Sequence, residues 1–446
     1  MIRRMSMKKV LSAAMAAVMV VSMAGCGSAG KTAETTTAAP AAATEKTEET
    51  TAADTKEAAS SGEVTTIEFF QMKDEGTDYY TALIKEFEAQ NPDIKIEYTN
   101  VPDAETVLMT RMASDQVPDV FTHFPLDASF REQVKAGYMM DLTGETMLEN
   151  VADDILDISL IDGKSYSVPV SLNMLGVYYN KDLFDKAGVE IPTTIEDLYK
   201  VCDTLKAADI TPFTFPDKDV WTVRQFCDRA SVTMLEDPVG LFEDIAAGKT
   251  TAADSRELRQ MGETIVKLRQ YGQEDNLGTG QEQAIADFAN GKAAMFFSGT
   301  FAYPEIVKSN PDLPFAMFRY PSFNGSSIDR LGVNIDTAFS ISASTKYPEA
   351  AKRFVEYCTS PENAQQFSDY DGTPSAIKGV NFNKSEFESM FKDYIQTGKT
   401  MSVPSNSWPP SFGGEYGNIC QELIDTKDVD QWLDNLNQLI MDTYNN

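Results

Sequence analysis

The chain of 446 residues has one histidine, His123, and three tryptophans, Trp221, Trp408 and Trp432. A single imidazole excludes a multi-histidine metal site and leaves one candidate base for a nucleophilic triad. HExxH, GxSxG and a Walker loop are absent, and Gly278-Thr279-Gly280 lacks the third glycine of a dinucleotide fingerprint. No apolar run approaches the 18 to 20 residues of a membrane span. Positive charge is scarce, and the net charge of −30 argues against nucleic acid or an anionic membrane surface as a partner. Paired carboxylates serve glycoside hydrolysis, but among 68 acids some pair is always at hand, so that signal carries nothing. Cys202, Cys227, Cys358 and Cys420 have no metal-ligand spacing. Their even number permits disulfides outside the membrane, although Cys202 and Cys358 lie in apolar helical patterns and read as buried thiols.

What is present begins with a leader over residues 1–25. Arg3, Arg4, Lys8 and Lys9 precede the apolar stretch Val10–Met23, too short to span but suited to a signal-peptide core. Met23-Ala24-Gly25-Cys26 resembles a bacterial lipobox, with methionine where leucine is usual, and implies lipidation of Cys26. Cleavage by an ordinary signal peptidase is the alternative and leaves the cysteine unexplained. Arg3-Arg4 lacks the surroundings of a twin-arginine signal. Loss of the leader removes four positive charges, so the mature chain is more acidic than the whole.

Residues 27–63, after Cys26, are almost entirely Ala, Thr, Glu, Lys and Ser, with one proline and no aromatic or large aliphatic side chain. Such a segment buries too little to offset its ordering entropy and predicts a tether, with an r.m.s. reach on the order of 30 Å. From Val64 onward strands and amphipathic helices alternate. Strands are predicted at Val64–Phe70, Ile94–Tyr98, Val120–Thr122, Ala293–Phe297 and Ala338–Ile341. Helices are predicted at Asp78–Gln90, Ala104–Ser114, Thr193–Ala208, Arg256–Tyr271, Gln281–Asn290, Tyr347–Cys358, Glu386–Thr397, Tyr416–Ile424 and Asp430–Tyr444. That alternation predicts an α/β protein with a parallel sheet covered on both faces. Asp162–Lys181, DGKSYSVPVSLNMLGVYYNK, reads as a tight turn and then two strands in line, broken at Pro169 and Ser171–Asn173.

Three stretches resemble the family 1 extracellular solute-binding proteins of ABC importers. They are Pro118-Asp119-Val120 followed by Gly137, Asp141-Leu142-Thr143 and DGKSYSVPVSLNMLGVYYNKDLFDKAG; FANGKAAM with Ser298-Gly299-Thr300; and AFSISASTKYPEAAKRFVEYCTSPENAQQF. The resemblance implies a two-lobed, type II periplasmic-binding-protein-like fold with the ligand cleft between lobes. It places three crossings near Ser171–Asn173, Asn334–Thr337 and Gly372–Ile377. The expected division is residues 64–171 plus 336–374 for the N-terminal lobe and 172–335 plus 375–446 for the C-terminal lobe. Closure of the lobes then captures the solute and presents it to the permease.

A sugar offers hydroxyls to polar side chains and C–H faces to rings. On that chemistry Trp221, in a polar stretch read as a loop, and Trp408, in VPSNSWPPSFGG, are candidate contacts, with surface packing as the alternative. Trp432 lies in the C-terminal helix and reads as core. The resemblance adds Asp74, His123 (where the family often has an aromatic) with Phe124 beside it, Asn173, Thr300, Phe301 (where tryptophan is common) and Asp336. It implies a monomeric, lipid-anchored receptor on the extracytoplasmic face of the cell membrane, without cofactor or metal, that delivers a carbohydrate, an oligosaccharide, to an importer. A tethered glycoside-processing enzyme and the same fold with another polar solute stay open as alternatives.

Overall fold

A computed structural model describes residues 64–73 and 76–445, which fall in one compact unit. The leader, Cys26, the tether and Asp74 lie outside the described residues. Strand β1 (Thr65–Gln71) buries Ile67 and Phe69 on one face and Phe70 on the other. Helix α1 (Thr77–Gln90) covers the first face with Tyr80, Leu83, Ile84 and Phe87, an i, i+3, i+4, i+7 stripe. After β2 (Ile94–Asn100), α2 (Ala104–Ala113), β3 (Val120–His123) and α3 (Ala128–Lys135), the second face is covered by Leu108, Met112 and Phe130. Strand β1 pairs in parallel with both β2 and β3. Helix α4 (Asp153–Ser159) leads to a tight turn in which Asp162 and Gly163 both take positive φ, closing Ile161 onto Lys164.

The chain then enters β4 (Val168–Asn180), one strand of thirteen residues. The break expected at Pro169 and Ser171–Asn173 is instead a pair of register shifts, between Pro169 and Ser171 and between Ser171 and Leu172. A bulge of this kind absorbs the donor that proline lacks and lets the strand continue. The elements that follow are α5 (Lys181–Ala187), α6 (Ile195–Ala207), β5 (Phe213–Thr214), α7 (Val220–Met234), α8 (Pro238–Ala246) and α9 (Arg256–Arg269). Next come α10 (Gln281–Ala289), β6 (Met295–Gly299), α11 (Tyr303–Ser309), β7 (Phe315–Arg319) and β8 (Leu331–Ile341). The sheet order is β2-β1-β3-β8-β4-β6-β5, with β7 also on β4. Strand β8 is antiparallel to β3 and β4, and β4 is antiparallel to β6 and β7, so the sheet is mixed and not purely parallel.

The first half of β4 pairs with β8 and the second half with β6 and β7. These two long strands carry the chain between two lobes. One lobe packs Phe69 against Phe339 and Phe354; the other stacks Phe213 on Phe297 and buries Trp432. Helices α12 (Pro348–Cys358) and α13 (Pro361–Asp371) belong to the first lobe's core through Phe354 and Phe367. Backbone bonds from Leu172 N to Pro374 O, Ala376 N to Val170 O and Lys378 N to Asn150 O hold the next stretch there. Phe382, packed on Phe387 and Phe391, is in the second lobe.

The single helix expected over Glu386–Thr397 is a 3-10 turn, α14 (Glu388–Met390) and a π-helical turn at Phe391–Ile395. Strand β9 (Thr400–Ser402) joins the edge of β8, and α15 (Phe412–Thr426) and α16 (Val429–Tyr444) close the second lobe. Cys202, Cys227, Cys358 and Cys420 are all buried free thiols.

Candidate functional site

The carboxyl ends of β1 and β3 and the β4–β8 pair meet where the chain crosses between the lobes. In open α/β sheets, ligands sit beyond the carboxyl ends of parallel strands. At the end of β1, Thr122 donates to Gln71 Oε1 and accepts from Met72 N at 3.0 Å, fixing the exit of the strand. Two residues on, Lys73 Nζ reaches Asp336 Oδ2 at 2.5 Å. Both groups are buried, at 10% and 5% exposure, so the ion pair ties the first lobe to β8 at its crossing.

His123 ends β3 at 2% exposure, with its ring 5.1 Å from that of Phe130. Its Nδ1 accepts from Phe124 N at 2.7 Å, and its Nε2 is buried beside Gln133. Burial pushes its pKa down to about 4, so the imidazole is neutral at pH 7. Four residues on, burial pushes the Asp127 carboxyl up to about 6, partly countered by Arg224 and Arg229 of α7.

These two groups act oppositely on stability. His123 binds protons more readily in the unfolded chain, so its contribution is present above pH 6.5 and is lost as pH falls toward 4. Asp127 binds protons more readily when folded, so its contribution rises as pH falls from about 6 toward 3.8. The two slopes offset each other in the wild-type protein between pH 6 and 4. Urea unfolding of Asp127→Asn should therefore show stability falling more steeply on acidification, by about 1.4 kcal/mol per pH unit. His123→Asn should tilt the profile the other way. Coincident slopes for wild type and Asp127→Asn would refute the shifted carboxyl.

On the opposite wall, Asn173 of β4 accepts through Oδ1 from Thr300 N (2.9 Å) and Thr300 Oγ1 (3.0 Å). Thr300 Oγ1 in turn accepts from Met174 N at 3.2 Å, and Thr300 is fully buried. A Cβ on Gly299 would lie 2.8 Å from both Asn173 Nδ2 and Phe301 Cδ1, so glycine is required for this close turn. The turn aims Phe301 at Trp221, ring centroids 6.4 Å apart. Trp221 is 42% exposed in the first turn of α7, in a stretch expected to be loop.

Farther along α7, Asp228 is fully buried. It receives Arg229 Nη1, Ser405 N at 3.0 Å and Ser405 Oγ at 2.7 Å. Asn406 Nδ2 donates to Asn334 Oδ1 at 3.1 Å, linking this loop to β8. Several buried polar atoms of these elements have no hydrogen-bond partner among the described residues: Arg229 Nε and Asn406 Oδ1, with Ser171 and Thr337 Oγ at the paired crossing strands. Half-exposed rings beside unsatisfied donors and acceptors suit a ligand with both apolar faces and hydroxyls.

Of the residues expected at the site, the structure brings His123 beside Phe124, Asn173 against Thr300, and Trp221 beside Phe301. Asn173 and Thr300 are spent largely on each other, and Asp336 on Lys73. Trp408 is only 5% exposed, its ring 4.9 Å from both Phe412 and Tyr416 inside the second lobe's core. Asp74 lies outside the described residues. Asp127, Arg224, Asp228 and Arg229 were not anticipated; the Trp221, Arg224, Asp228 spacing along one helical face would have marked two of them. A separate depression of about 260 Å³, between the ends of α6 and α9, is lined by Lys206, Thr211, Gln270 and Tyr271 and takes no part in the cleft.

Comparison with known proteins agrees with this geometry. The Multiple sugar-binding protein of Streptococcus mutans is 32% identical over 338 residues, 74% of this chain and 80% of its own length. The melibiose/raffinose/stachyose-binding protein MelE of Bacillus subtilis is 23% identical over 403 residues, covering 86% and 91% of the two chains. The solved complex of the solute-binding protein RafE with raffinose has a TM-score of 0.78 at 28% identity, covering 85% of this chain and all of that one. The family model of bacterial extracellular solute-binding proteins matches residues 73–365. With its two lobes, its shared strand pair and a cleft at the strand ends, the chain belongs to the bacterial extracellular solute-binding protein family.

Proposed function

We propose that this protein is the carbohydrate receptor of an ABC importer, capturing an oligosaccharide by lobe closure and delivering it to the membrane permease. The observation that carries this reading is the partly exposed Trp221–Phe301 ring pair, together with buried polar atoms of β4, β8 and α7 that have no partner among the described residues. Rings cover the C–H faces of a sugar, and the free donors and acceptors match its hydroxyls. Relatives that bind raffinose, stachyose and melibiose support the class.

The contacts lie on Trp221, Phe301, Phe124 and His123, with Asp74 as a hydroxyl acceptor. Asn173, Thr300 and Asp336 shape the crossing, and Trp408 supports the wall from behind. We place the lobes at residues 64–171 plus 336–374 and 172–335 plus 375–446. The packing of Ile377 in the first core is reason to move the third boundary toward Phe382. The receptor acts as a monomer without catalysis, on the extracytoplasmic face, held by lipidated Cys26 and the tether that follows it. Loss of fatty-acid labelling in Cys26→Ser tests the anchor.

Melting of the purified protein with raffinose, stachyose, melibiose, malto-oligosaccharides and monosaccharides tests the ligand class. A ligand at 100 times its Kd adds about 2.7 kcal/mol to stability, a clear rise in Tm. The sugar should be recovered intact afterwards; released products would favour a glycoside-processing enzyme. A response to another solute class and to no sugar would overturn the reading.

A further inference from the structure

We infer that Asp219 is a positioning residue: by bonding the first turn of a second helix, it fixes the gap between the Trp221 and Phe301 rings. The inference deepens the carbohydrate reading above and rests on it for the role of those rings. Asp219 stands immediately before α7, where an aspartate ordinarily turns its carboxylate onto N–H groups of its own helix. Here it makes no such bond. Its Oδ2 instead accepts at 2.8 Å from the backbone N of Gln281, the first residue of α10. A helix start leaves that donor unsatisfied, and Gly280 before it has no side chain to serve it.

The same contact is close from the other side. A Cβ on Gly280 would lie 3.1 Å from Asp219 Oδ2, tight enough to favour glycine there. One residue earlier, Lys218 N donates to Thr279 O at 3.1 Å, a backbone bond between the same two stretches. On the α7 side, Asp219 O accepts from Thr222 N at 3.0 Å and from Thr222 Oγ1 at 2.6 Å. The carbonyl and the carboxylate of one residue thus hold the starts of two helices.

Those helices belong with the two rings. Trp221 is the second residue of α7, whose Val223, Phe226 and Cys227 pack in one apolar cluster. Phe301, in the turn after β6, packs in another, formed by Ala284, Ile285 and Phe288 of α10 with Phe296 and Ile306. The ring separation of 6.4 Å is therefore set between two separately packed groups, and the Asp219 bond spans them two residues from Trp221. An added gap of roughly 0.5–1 Å forfeits a quarter to a half of a dispersion contact, so ring stacking on a sugar depends on that spacing.

Calorimetric titration of raffinose, or of stachyose if it binds more tightly, compares wild type, Asp219→Ala, Asp219→Asn, Trp221→Ala and the double variant Asp219→Ala with Trp221→Ala. Asp219→Ala should weaken binding about fivefold or more. Asp219→Asn, which keeps an acceptor oxygen for Gln281 N, should recover most of that loss. In the Trp221→Ala background, Asp219→Ala should cost little further, because its effect passes through that ring. No loss in Asp219→Ala, or the same loss in both backgrounds, would overturn the inference and leave the carbohydrate reading intact. Should Asp219→Ala fail to fold, Gly280→Ala takes its place, since its Cβ crowds the same carboxylate, with a loss in the same direction expected.

Acrylamide quenching of tryptophan emission reads the position without ligand. Trp408 and Trp432 are 5% and 1% exposed, so quenching reports Trp221. It should rise in Asp219→Ala and return toward wild type in Asp219→Asn. Equal quenching in wild type and Asp219→Ala would overturn the positioning by itself, whereas failure of the wild type to bind any sugar would overturn the carbohydrate reading.

Discussion

Asp217→Ala is expected to destabilise the second lobe by about 3–5 kcal/mol, the usual result of stripping one partner from a buried ion pair. Arg269 is 6% exposed and Asp217 2%. The guanidinium grips the carboxylate with two bonds, Nε to Oδ2 at 3.0 Å and Nη2 to Oδ1 at 2.8 Å, and Asn276 Nδ2 adds a third at 2.6 Å. The guanidinium also lies over the rings of Phe215 and Phe226, at 4.4 and 4.2 Å. Without Asp217 a charged group is left in an aromatic pocket with no counter-ion. Replacing both partners, as Asp217→Leu with Arg269→Met, should restore most of the loss, since well-packed apolar pairs often match buried salt bridges. Chemical denaturation measures each. A cost below about 1 kcal/mol for Asp217→Ala, the value of an exposed pair, would show that water reaches this network.

The second large effect separates two tryptophans. Trp221→Ala should cut sugar affinity by about 30-fold or more, the loss of roughly 2 kcal/mol found for central aromatic contacts. Its stability should change little, because the side chain is nearly half exposed. Trp408→Ala should do the reverse: about 3–5 kcal/mol of stability goes with the ring that packs against both Phe412 and Tyr416. Where the variant stays folded, its affinity should remain near wild type. Melting and titration on both variants distinguish the roles. Normal binding by Trp221→Ala would remove the ring pair from the site.

How far the sequence disclosed this protein depended on whether an element's own residues, or its neighbours, decide its form. Helices α1, α6, α9 and α16 carry a clear apolar stripe, and the helix expected from Thr193 begins where the Thr194 hydroxyl caps Asp197 N. Helix α7 was missed. Its sequence, VWTVRQFCDRASVTM, is rich in β-branched residues and follows Pro216, so propensity pointed elsewhere. Packing of Phe226, Cys227, Ala230 and Met234 into the core makes it a helix. With α7 unread, Arg224, Asp228 and Arg229 could not be placed on one helix with Trp221. Trp408 shows the converse: its loop was legible, but the burial of its ring depends on Phe412 and Tyr416 of α15. Family motifs located Asn173 and Thr300 without revealing that the two satisfy each other.

The β4–β8 pair has a mechanical consequence. Two antiparallel strands laced by backbone hydrogen bonds from Val168 through Met174 resist sliding past each other, since a slip of one residue would turn every side chain to the wrong face. The same ribbon resists twisting less than sliding, and its pairing with β8 is irregular at Ser171, where the register shifts on both sides and residues 374–376 bond to Val170 and Leu172 instead. It behaves as a torsion spring: stiff in translation, soft in rotation about its length. A lobe rotation carried by this ribbon would turn about its length rather than slide along it, and a substitution that alters the bulge should change the angle between the lobes without touching the ligand.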